Sequence, residues 1–220
     1  MTAFRPRFLS TCLVVIFALH SAAQAADNQA ELNLQTLTAA RSGNIKQLQR
    51  LIDDGASPNT RNRLGDSLLM TAIKNGKTDI AQRVIDLGAD VNLANTAKVT
   101  PLMAAAYYGQ PDMAQLLIEK KADINAVDQL TKTAMVYAAG NGQTAIVGKL
   151  LDQGVLPNAA YPNGLTALMW AGAYGHLATV QAMIERGADP RLVDNRGKTV
   201  KQMAEENGHM NVVKYFNERQ

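Results

Sequence analysis

Two histidines carry the most versatile side chains of this sequence, because a neutral imidazole can bind a metal ion or take up a proton near neutral pH. His176 and His209 each follow a glycine, and the two Gly-His pairs are one repeat period apart. Two ligands of one zinc ion bring their ring nitrogens to about 3 Å from each other, whereas side chains one unit apart in a stacked array are separated by roughly 10 Å. The spacing therefore predicts two histidines that form local hydrogen bonds, and no zinc site.

Acidic pairs and catalytic motifs give no better candidate for an active site. The carboxylates of Asp53–Asp54 and of Glu205–Glu206 are adjacent in the sequence, and neighbouring residues of a helix point away from each other, so neither pair can share a proton. The sequence has no G-x-S-x-G nucleophile elbow, no G-x-x-x-x-G-K-[ST] phosphate loop and no H-E-x-x-H helix. We therefore expect a protein that is not an enzyme and that needs no cofactor.

Three methionines form another candidate site, because Met70, Met103 and Met169 recur at whole multiples of the same period. Thioethers bind Cu(I) and are oxidised by peroxide, so a copper relay or an oxidant sink is one interpretation. The other is packing, since the position lies beside an apolar seam and methionine fills irregular gaps. We favour packing; a rise in melting temperature on addition of Cu(I) would support the alternative.

The composition is that of a folded protein, which can hold such residues in place. Of 220 residues, 47% are hydrophobic and 19% are charged, close to the average of globular domains and far from that of disordered chains. The single cysteine rules out an intramolecular disulfide and a cysteine-based zinc site. The formal charge is +3, and its meaning depends on where the basic residues lie.

The segment over residues 1–25 has the three parts of a secretory signal peptide. Arg5 and Arg7 precede an uncharged run over 8–19, and residues 23–25 read Ala-Gln-Ala, a small-residue cleavage site. The apolar run is shorter than the roughly 20 residues that a membrane-spanning helix needs. We therefore predict cleavage after Ala25 and a mature chain with one more basic than acidic residue, without cysteine and without a membrane span.

A sequence period of 33 organises the rest of the chain. One glycine series keeps this spacing without a slip, and an alanine stands four positions before each of its members. A second glycine series is interrupted once by a lysine, and an asparagine series ends in an arginine. The four series are Gly43, Gly76, Gly109, Gly142, Gly175, Gly208; Ala39, Ala72, Ala105, Ala138, Ala171, Ala204; Gly55, Gly88, Lys121, Gly154, Gly187; and Asn59, Asn92, Asn125, Asn158, Arg191. Such a period indicates a repeat protein whose units stack on their neighbours.

Local signals within one period predict two short helices and an extended segment. Thr100 is a good helix N-cap and Pro101 suits the first helical position; the helix formers that follow end at Gly109. A second helix with one apolar face continues through Lys121. A turn-rich stretch, which we call the finger, then leads to the next cap at Thr133.

This unit resembles the ankyrin repeat, whose signature combines T-P-L-H, a G-H turn and G-A-D-x-N. Thr100-Pro101-Leu102, Gly175-His176 and Gly88-Ala89-Asp90-Val91-Asn92 match the signature as they stand. The resemblance implies an all-α solenoid of about six stacked helix-turn-helix units with finger loops over residues 26–220. The repeats are expected at about 29–61, 62–94, 95–127, 128–160, 161–193 and 194–220, with polar caps at both ends. The resemblance also implies a module for protein–protein interaction.

Two departures from the family signature affect local geometry. The histidine of T-P-L-H is replaced by methionine, valine or glutamine, so the hydrogen bonds that it forms between repeats are expected to be missing. The glycine at the finger tip is kept at Gly65, Gly164 and Gly197 but is Lys98 and Thr131 in repeats three and four. Those two tips must form a different turn or hold a residue with a side chain at positive φ.

The binding surface that the resemblance implies comprises the finger tips and the positions just before the turn glycine. Tyrosines are concentrated there in repeats three to five, and aromatic residues are enriched at the centres of interfaces. Basic residues of the tips add a modest positive charge suited to an acidic protein segment. The candidate partner-binding residues are Tyr107, Tyr108, Tyr174, Tyr161, Lys98, Lys132, Arg63 and Arg196. Tyr137 and Trp170 are expected to pack in the core instead.

These patterns together predict a non-enzymatic binding module of the bacterial periplasm, which holds a protein partner on its concave surface and is itself a monomer. Secretion beyond the outer membrane is left open. The local charge is too small to favour nucleic acid. An alternative function is protection against oxidative stress by assistance to an exported enzyme such as a catalase, a role linked with some exported bacterial proteins that this chain resembles.

Overall fold

Twelve α-helices in six successive pairs make up most of residues 8–219, the part of the chain that the computed structural model describes, with side chains described from residue 23 onwards. Within this part the only further regular elements are a 3-10 turn at Pro162–Gly164 and an isolated antiparallel bridge between Arg61 and Ser67. The helices are α1 (Phe8–Ser42), α2 (Ile45–Asp53), α3 (Leu68–Lys74), α4 (Thr78–Asp86), α5 (Pro101–Tyr108), α6 (Pro111–Glu119), α7 (Ala134–Gly140), α8 (Thr144–Asp152), α9 (Ala167–Ala173), α10 (Leu177–Glu185), α11 (Val200–Glu206) and α12 (Met210–Asn217). The predicted all-α repeat solenoid is confirmed.

The helices form two layers around a single elongated core. Odd-numbered helices contact one another in series from α1 to α11, and each even-numbered helix packs against its odd-numbered partner. The side chains that pack in or against this core run from Leu32 in α1 to Phe216 in α12. Members of the alanine series such as Ala72 and Ala105 are fully buried, because a methyl side chain lets neighbouring helices approach closely.

Hydroxyl caps begin the odd-numbered helices from α3 onwards. The cap residues, whose side chains each accept a hydrogen bond from the backbone N–H three positions later, are Ser67, Thr100, Thr133, Thr166 and Thr199. In α5 and α9 a thioether returns the bond, since the N–H of Thr100 donates to Sδ of Met103 and that of Thr166 to Sδ of Met169, both at 3.4 Å. Methionine thus takes over a capping role at the position where the family signature has histidine.

Five fingers connect the helix pairs, at residues 54–67, 87–100, 120–133, 153–166 and 186–199. Each tip is built around one residue of a further series with the same period, namely Asn62, Asn95, Asp128, Tyr161 and Asp194. Where this residue is Asn or Asp, its side-chain oxygen accepts backbone N–H groups two and four positions later, as Asn95 does from Ala97 and Val99. Tyr161 cannot make these bonds, and the fourth finger forms the 3-10 turn instead.

Hydrogen bonds donated by backbone N–H groups join every pair of neighbouring fingers in the described structure except the third and the fourth. At the tips, Thr96, Gln129 and Asn195 donate to carbonyls of the preceding finger, and at the bases the side-chain oxygens of Asn59, Asn92 and Asn158 accept from the following one. The fourth finger has Pro162 at the tip donor position, and proline has no N–H. Among the described hydrogen bonds, none joins the side chain of Asn125 to the base of the fourth finger. The hydroxyl of Thr133 instead donates to that of Tyr161 across this joint, at 3.1 Å.

Both finger tips that lack glycine hold a side-chain-bearing residue in the left-handed region. Lys98 has φ 60° and Thr131 has φ 59°, and Lys121, which interrupts the second glycine series, has φ 68°. Of the two geometries predicted for these tips, the structure therefore has the second, a residue with a side chain at positive φ. The turn is kept, and the backbone carries the strain.

The segment predicted to be a signal peptide lies only partly in the described region. Arg5 and Arg7 fall outside it, and of residues 8–22 the backbone alone is described. Ala25 lies within α1, in an exposed stretch over 23–30. Among the helices described, none has both the length and the apolarity that crossing a bilayer requires.

Candidate partner-binding groove

An aromatic groove, which we define by Tyr107, Lys132, Tyr137, Trp170 and Tyr174, crosses three successive helices of one layer. Its tyrosines and tryptophan come from α5, α7 and α9 and the C-cap of α9, and its lysine comes from the third finger. The five residues line a cavity of about 250 Å³. A second cavity of about 330 Å³ lies on the other side of Trp170 and Tyr174.

Ring–ring contacts hold the groove in shape. The centroids of Tyr107 and Tyr137 are 6.1 Å apart with the rings nearly perpendicular, and those of Trp170 and Tyr174 are 6.0 Å apart with the rings nearly parallel. Each arrangement is a favoured geometry worth about 0.5–1.5 kcal/mol. Side chains that are already ordered lose little entropy on binding, so the groove is preorganised for a ligand.

Lys132 places a positive charge within the aromatic cluster. Its Nζ lies 5.1 Å from the ring centroid of Trp170 and 5.8 Å from that of Tyr137. These are cation–π distances, and they fix the ammonium group among the rings. An acidic group that entered the groove could pair with it.

The buried carboxylate of Asp128 fixes the position of the Tyr137 side chain. The tyrosine hydroxyl donates to Oδ2 of Asp128 at 2.6 Å, and Asp128 is only 5% exposed. Burial first, and then the hydrogen bond and charge of Asp128, raise the pKa of Tyr137 well above its ordinary value. The phenol therefore stays a neutral donor at physiological pH, and the ring keeps one orientation.

The expectation that Tyr137 and Trp170 pack in the core is met in part by Tyr137, which packs against the core from a half-buried position, and is wrong for Trp170. The same repeat position holds Thr71 and Ala104 in earlier repeats, and both are buried. The larger rings do not fit between the helices and extend along the surface, where both are half-buried. Tyr137 touches the edge of the core, and Trp170 forms a wall of both cavities.

Half of the eight residues expected to bind a partner meet at this surface. Tyr107, Tyr174 and Lys132 belong to the groove, and Arg196 lines the adjacent cavity. Tyr107 and Tyr174 are 49% and 55% exposed, which leaves one face of each ring free for contact.

The other four do not line these two cavities. Tyr108 is exposed, and its ring packs edge-on against that of Tyr107 with the centroids 5.1 Å apart. Tyr161 is partly buried at the joint of the third and fourth fingers, where its hydroxyl accepts a hydrogen bond from Thr133 and burial raises its pKa. Lys98 is at an exposed tip, and Arg63 lines another cavity, of about 590 Å³, beside α1.

The carboxylates at the finger tips, unlike those at the finger bases, are buried. Asp66, Asp128 and Asp194 are 3%, 5% and 5% exposed and accept hydrogen bonds from within the fingers. Lys98 and Arg63 are exposed. The exposed charges of the tips are therefore basic, and salt bridges to Asp66 and Asp194 offset part of the positive charge around them.

Hydrogen bonding fixes Asp66 in its charged form. Burial acts to raise its pKa, but bonds from Nζ of Lys74 at 2.7 Å and from Nδ2 of Asn95 at 2.9 Å outweigh burial and hold the pKa below 3.8. Because Asn95 belongs to the second finger, the carboxylate also ties the first two fingers together.

The residues first considered for catalysis or metal binding have structural surroundings. Nε2 of His176 lies 3.0 Å from the carbonyl oxygen of Gly140 in the preceding repeat, so its hydrogen bond joins two repeats. Within the described part of the chain, no group of three His, Cys, Asp or Glu side chains could hold a metal ion. The methionine stripe is at most 2% exposed, and the sulfur atoms of Met103 and Met169 accept hydrogen bonds from the cap N–H groups.

Asp128 was missed as a member of the site, although the sequence carries a signal for it. The tip series of Asn and Asp recurs once per repeat in the sequence, and it marks the residue around which each finger turns. Tyr137 follows Asp128 by nine positions and lies in α7, after the finger turn and the cap residue Thr133. Alignment of the repeats thus places the two near each other, but it does not reveal which side of the helix the ring takes.

Comparison with known proteins agrees with the repeat pattern. A family model described as ankyrin repeats (3 copies) matches residues 36–128 and 135–219, about four fifths of the chain. No curated protein matches the chain.

Proposed function

Because the chain belongs to the ankyrin-repeat family, whose repeats generally serve protein–protein interaction, we propose that it binds a protein partner in the aromatic groove. The observation that carries the proposal is the preassembled cluster of four rings from three successive repeats with an ammonium group among them. Tyrosine and tryptophan dominate the binding energy of many interfaces. A groove of this composition fits an extended segment with apolar or aromatic side chains.

Charge favours an acidic segment as the occupant. Lys132 lies in the groove, Arg196 beside the second cavity, and Lys98 at an exposed tip. The tip carboxylates are buried, but Asp194 pairs with Nε of Arg196 at 2.8 Å and compensates that charge in part. The attraction therefore rests mainly on Lys132 and Lys98. A partner segment that combines aromatic and acidic residues would match both features of the surface.

Replacement of Tyr107 and Tyr174 by alanine tests the groove directly. Both rings are half-exposed and line the cavity, so we expect the double variant to bind the partner at least about 30-fold more weakly, as for loss of a hot spot of ~2 kcal/mol. The partner is first captured from a periplasmic extract and identified, and the affinity of the pair is then measured by calorimetry. Melting temperature should fall by only a few degrees, because the variant loses two ring contacts of about 0.5–1.5 kcal/mol each.

Met210→Ala is the control, because Met210 is also a large exposed side chain but lies in α12, outside the groove and the adjacent cavity. It should keep nearly full affinity. Equal affinities of the wild type and the double variant would refute the proposal that the groove is the binding site.

The periplasm is the proposed compartment. The basic start, the short apolar run and the Ala-Gln-Ala site of the N-terminal segment support export. So does the exposure of residues 23–30, because a peptidase needs access to the bond after Ala25.

A further inference from the structure

A further pocket, distinct from the aromatic groove and from the two other cavities described above, lies between the last two repeats. It has a volume of about 590 Å³ and is bounded by α10, the fifth finger, α11 and α12. Ile184, Pro190, Tyr215 and Phe216 supply apolar walls. The volume lies within the range of small-molecule sites in proteins, and the pocket shares no lining residue with the groove.

Basic side chains line the mouth of this pocket. They are Arg191, Lys201 and Arg219, and none of the described lining residues is acidic. Asp189 binds Arg191 through two hydrogen bonds of 2.9 Å and neutralises it in part. The guanidinium carbon of Arg219 lies 4.3 Å from the ring centroid of Tyr215, so that this charge is held over the apolar wall.

Three departures from the repeat pattern meet in the pocket. Arg191 ends the asparagine series. Lys201 stands where the earlier repeats have Leu69, Leu102, Met135 and Leu168, all buried. Tyr215 stands where they have Arg83, Leu116, Lys149 and Ala182. A polar cap would explain a lysine or an arginine at the end of an array, but it does not explain an aromatic pair beneath them.

We propose that this pocket binds a small amphipathic anion, namely a free carboxylate with an alkyl or aryl body. The body would lie against Ile184, Pro190 and Phe216, where burial of apolar surface favours binding. The carboxylate would pair with Lys201 and Arg219, since charge-assisted hydrogen bonds to a carboxylate are among the strongest in proteins. Neither the apolar wall nor the basic side chains alone would select such a ligand.

Titration with a fluorescent fatty acid and with its neutral ester separates the contribution of the basic side chains to binding from that of the apolar wall. The probes are 11-(dansylamino)undecanoate and its methyl ester, titrated into the full-length protein while dansyl emission is followed. We expect the acid to bind the wild type more tightly than the ester does. Lys201→Gln combined with Arg219→Gln should weaken binding of the acid by about tenfold or more and leave binding of the ester unchanged, whereas Phe216→Ala should weaken both.

Lys120→Gln is the matched control, because Lys120 is exposed and occupies the repeat position of Arg219 in the third repeat. It should bind both probes as the wild type does. Arg191→Asn, which restores the residue of the earlier repeats, gives a second test should the double variant fail to fold, and it should also weaken binding of the acid alone.

Three results would overturn the proposal. One is equal affinity of the wild type for acid and ester, and another is unchanged affinity of the charge variants for the acid. The third is preference for vesicles of phosphatidylglycerol over the free acid, which would assign the basic rim to a membrane surface. Because the pocket and the groove share no residue, each result leaves the proposed protein-binding function untouched.

Discussion

Single buried polar side chains determine the shape of the fingers. Asp128 holds the backbone of its tip with one oxygen and the hydroxyl of Tyr137 with the other. Asp66 accepts bonds from a lysine of its own repeat and from an asparagine of the next finger. Such carboxylates are costly to bury unless every oxygen has a partner, and these have partners.

Asp66→Asn should lower the free energy of unfolding at about pH 7 by roughly 1–3 kcal/mol, the value of charge-assisted bonds to a buried group. The pKa of Asp66 in the folded protein lies below 3.8, so its stabilising effect is complete above that pH and is lost as the pH falls through the folded value. The difference between wild type and variant should therefore shrink towards about pH 2.5. Urea denaturation at both pH values measures it.

Asp27→Asn is the control for a carboxylate without such partners, because Asp27 is exposed and precedes the core. Its stability should equal that of the wild type at both pH values. A constant difference for Asp66→Asn across the two pH values would contradict the role given to its charge.

At the scale of helices and fingers, much could be predicted from the sequence and some could not. The repeat period, the cap threonines and the turn glycines predict the helix pairs because each signal acts over a short stretch of chain. The orientation of Trp170 could not be predicted, because it depends on the space left between helices that are distant in sequence. The choice of positive φ at Thr131 was open for a related reason, since only packing of the finger against its neighbours decides between strain and a new turn.

Thr131→Gly should raise the stability of the third finger. A β-branched residue at φ 59° costs about 1–2 kcal/mol, and glycine relieves this cost, less the entropy that it adds to the unfolded chain. A net gain of about 1 kcal/mol corresponds to roughly 2–4 °C in melting temperature for a chain of this size. Circular dichroism at helix wavelengths during heating measures the change.

The reverse substitution is available at the fifth finger. Gly197 has φ 75°, and a Cβ there would meet no atom within 4 Å, so Gly197→Ala should destabilise through the backbone alone. A lower melting temperature for Thr131→Gly, or no effect of Gly197→Ala, would argue against strain at the tips.

At the scale of the whole molecule, stability resides in contacts between neighbouring repeats. The packed side chains begin at Leu32, in the second half of α1, and the preceding stretch over 23–30 is exposed. Of the segment that the proposed cleavage removes, residues 23–25 have described side chains, and these are exposed and outside the core cluster. In the proposed function the segment over 1–25 directs export.

Protein recovered from the periplasm should accordingly begin at Ala26 and melt within about 1 °C of the full-length chain. N-terminal sequencing identifies the start, and calorimetry compares the two forms. Recovery of the intact N terminus, or a marked loss of stability on its removal, would contradict the proposed export and cleavage.

The joint between the third and the fourth fingers differs from the other joints in its hydrogen bonds. The fingers on either side are tied at tip and base, whereas this joint has Pro162 at its tip donor position and the hydroxyl pair of Thr133 and Tyr161 across it. The groove spans this joint, with Tyr107 before it and Trp170 after it. A partner that occupies the groove therefore also bridges the two fingers that share no backbone-donated hydrogen bond, and it supplies contacts across the joint where the fingers have fewest of their own.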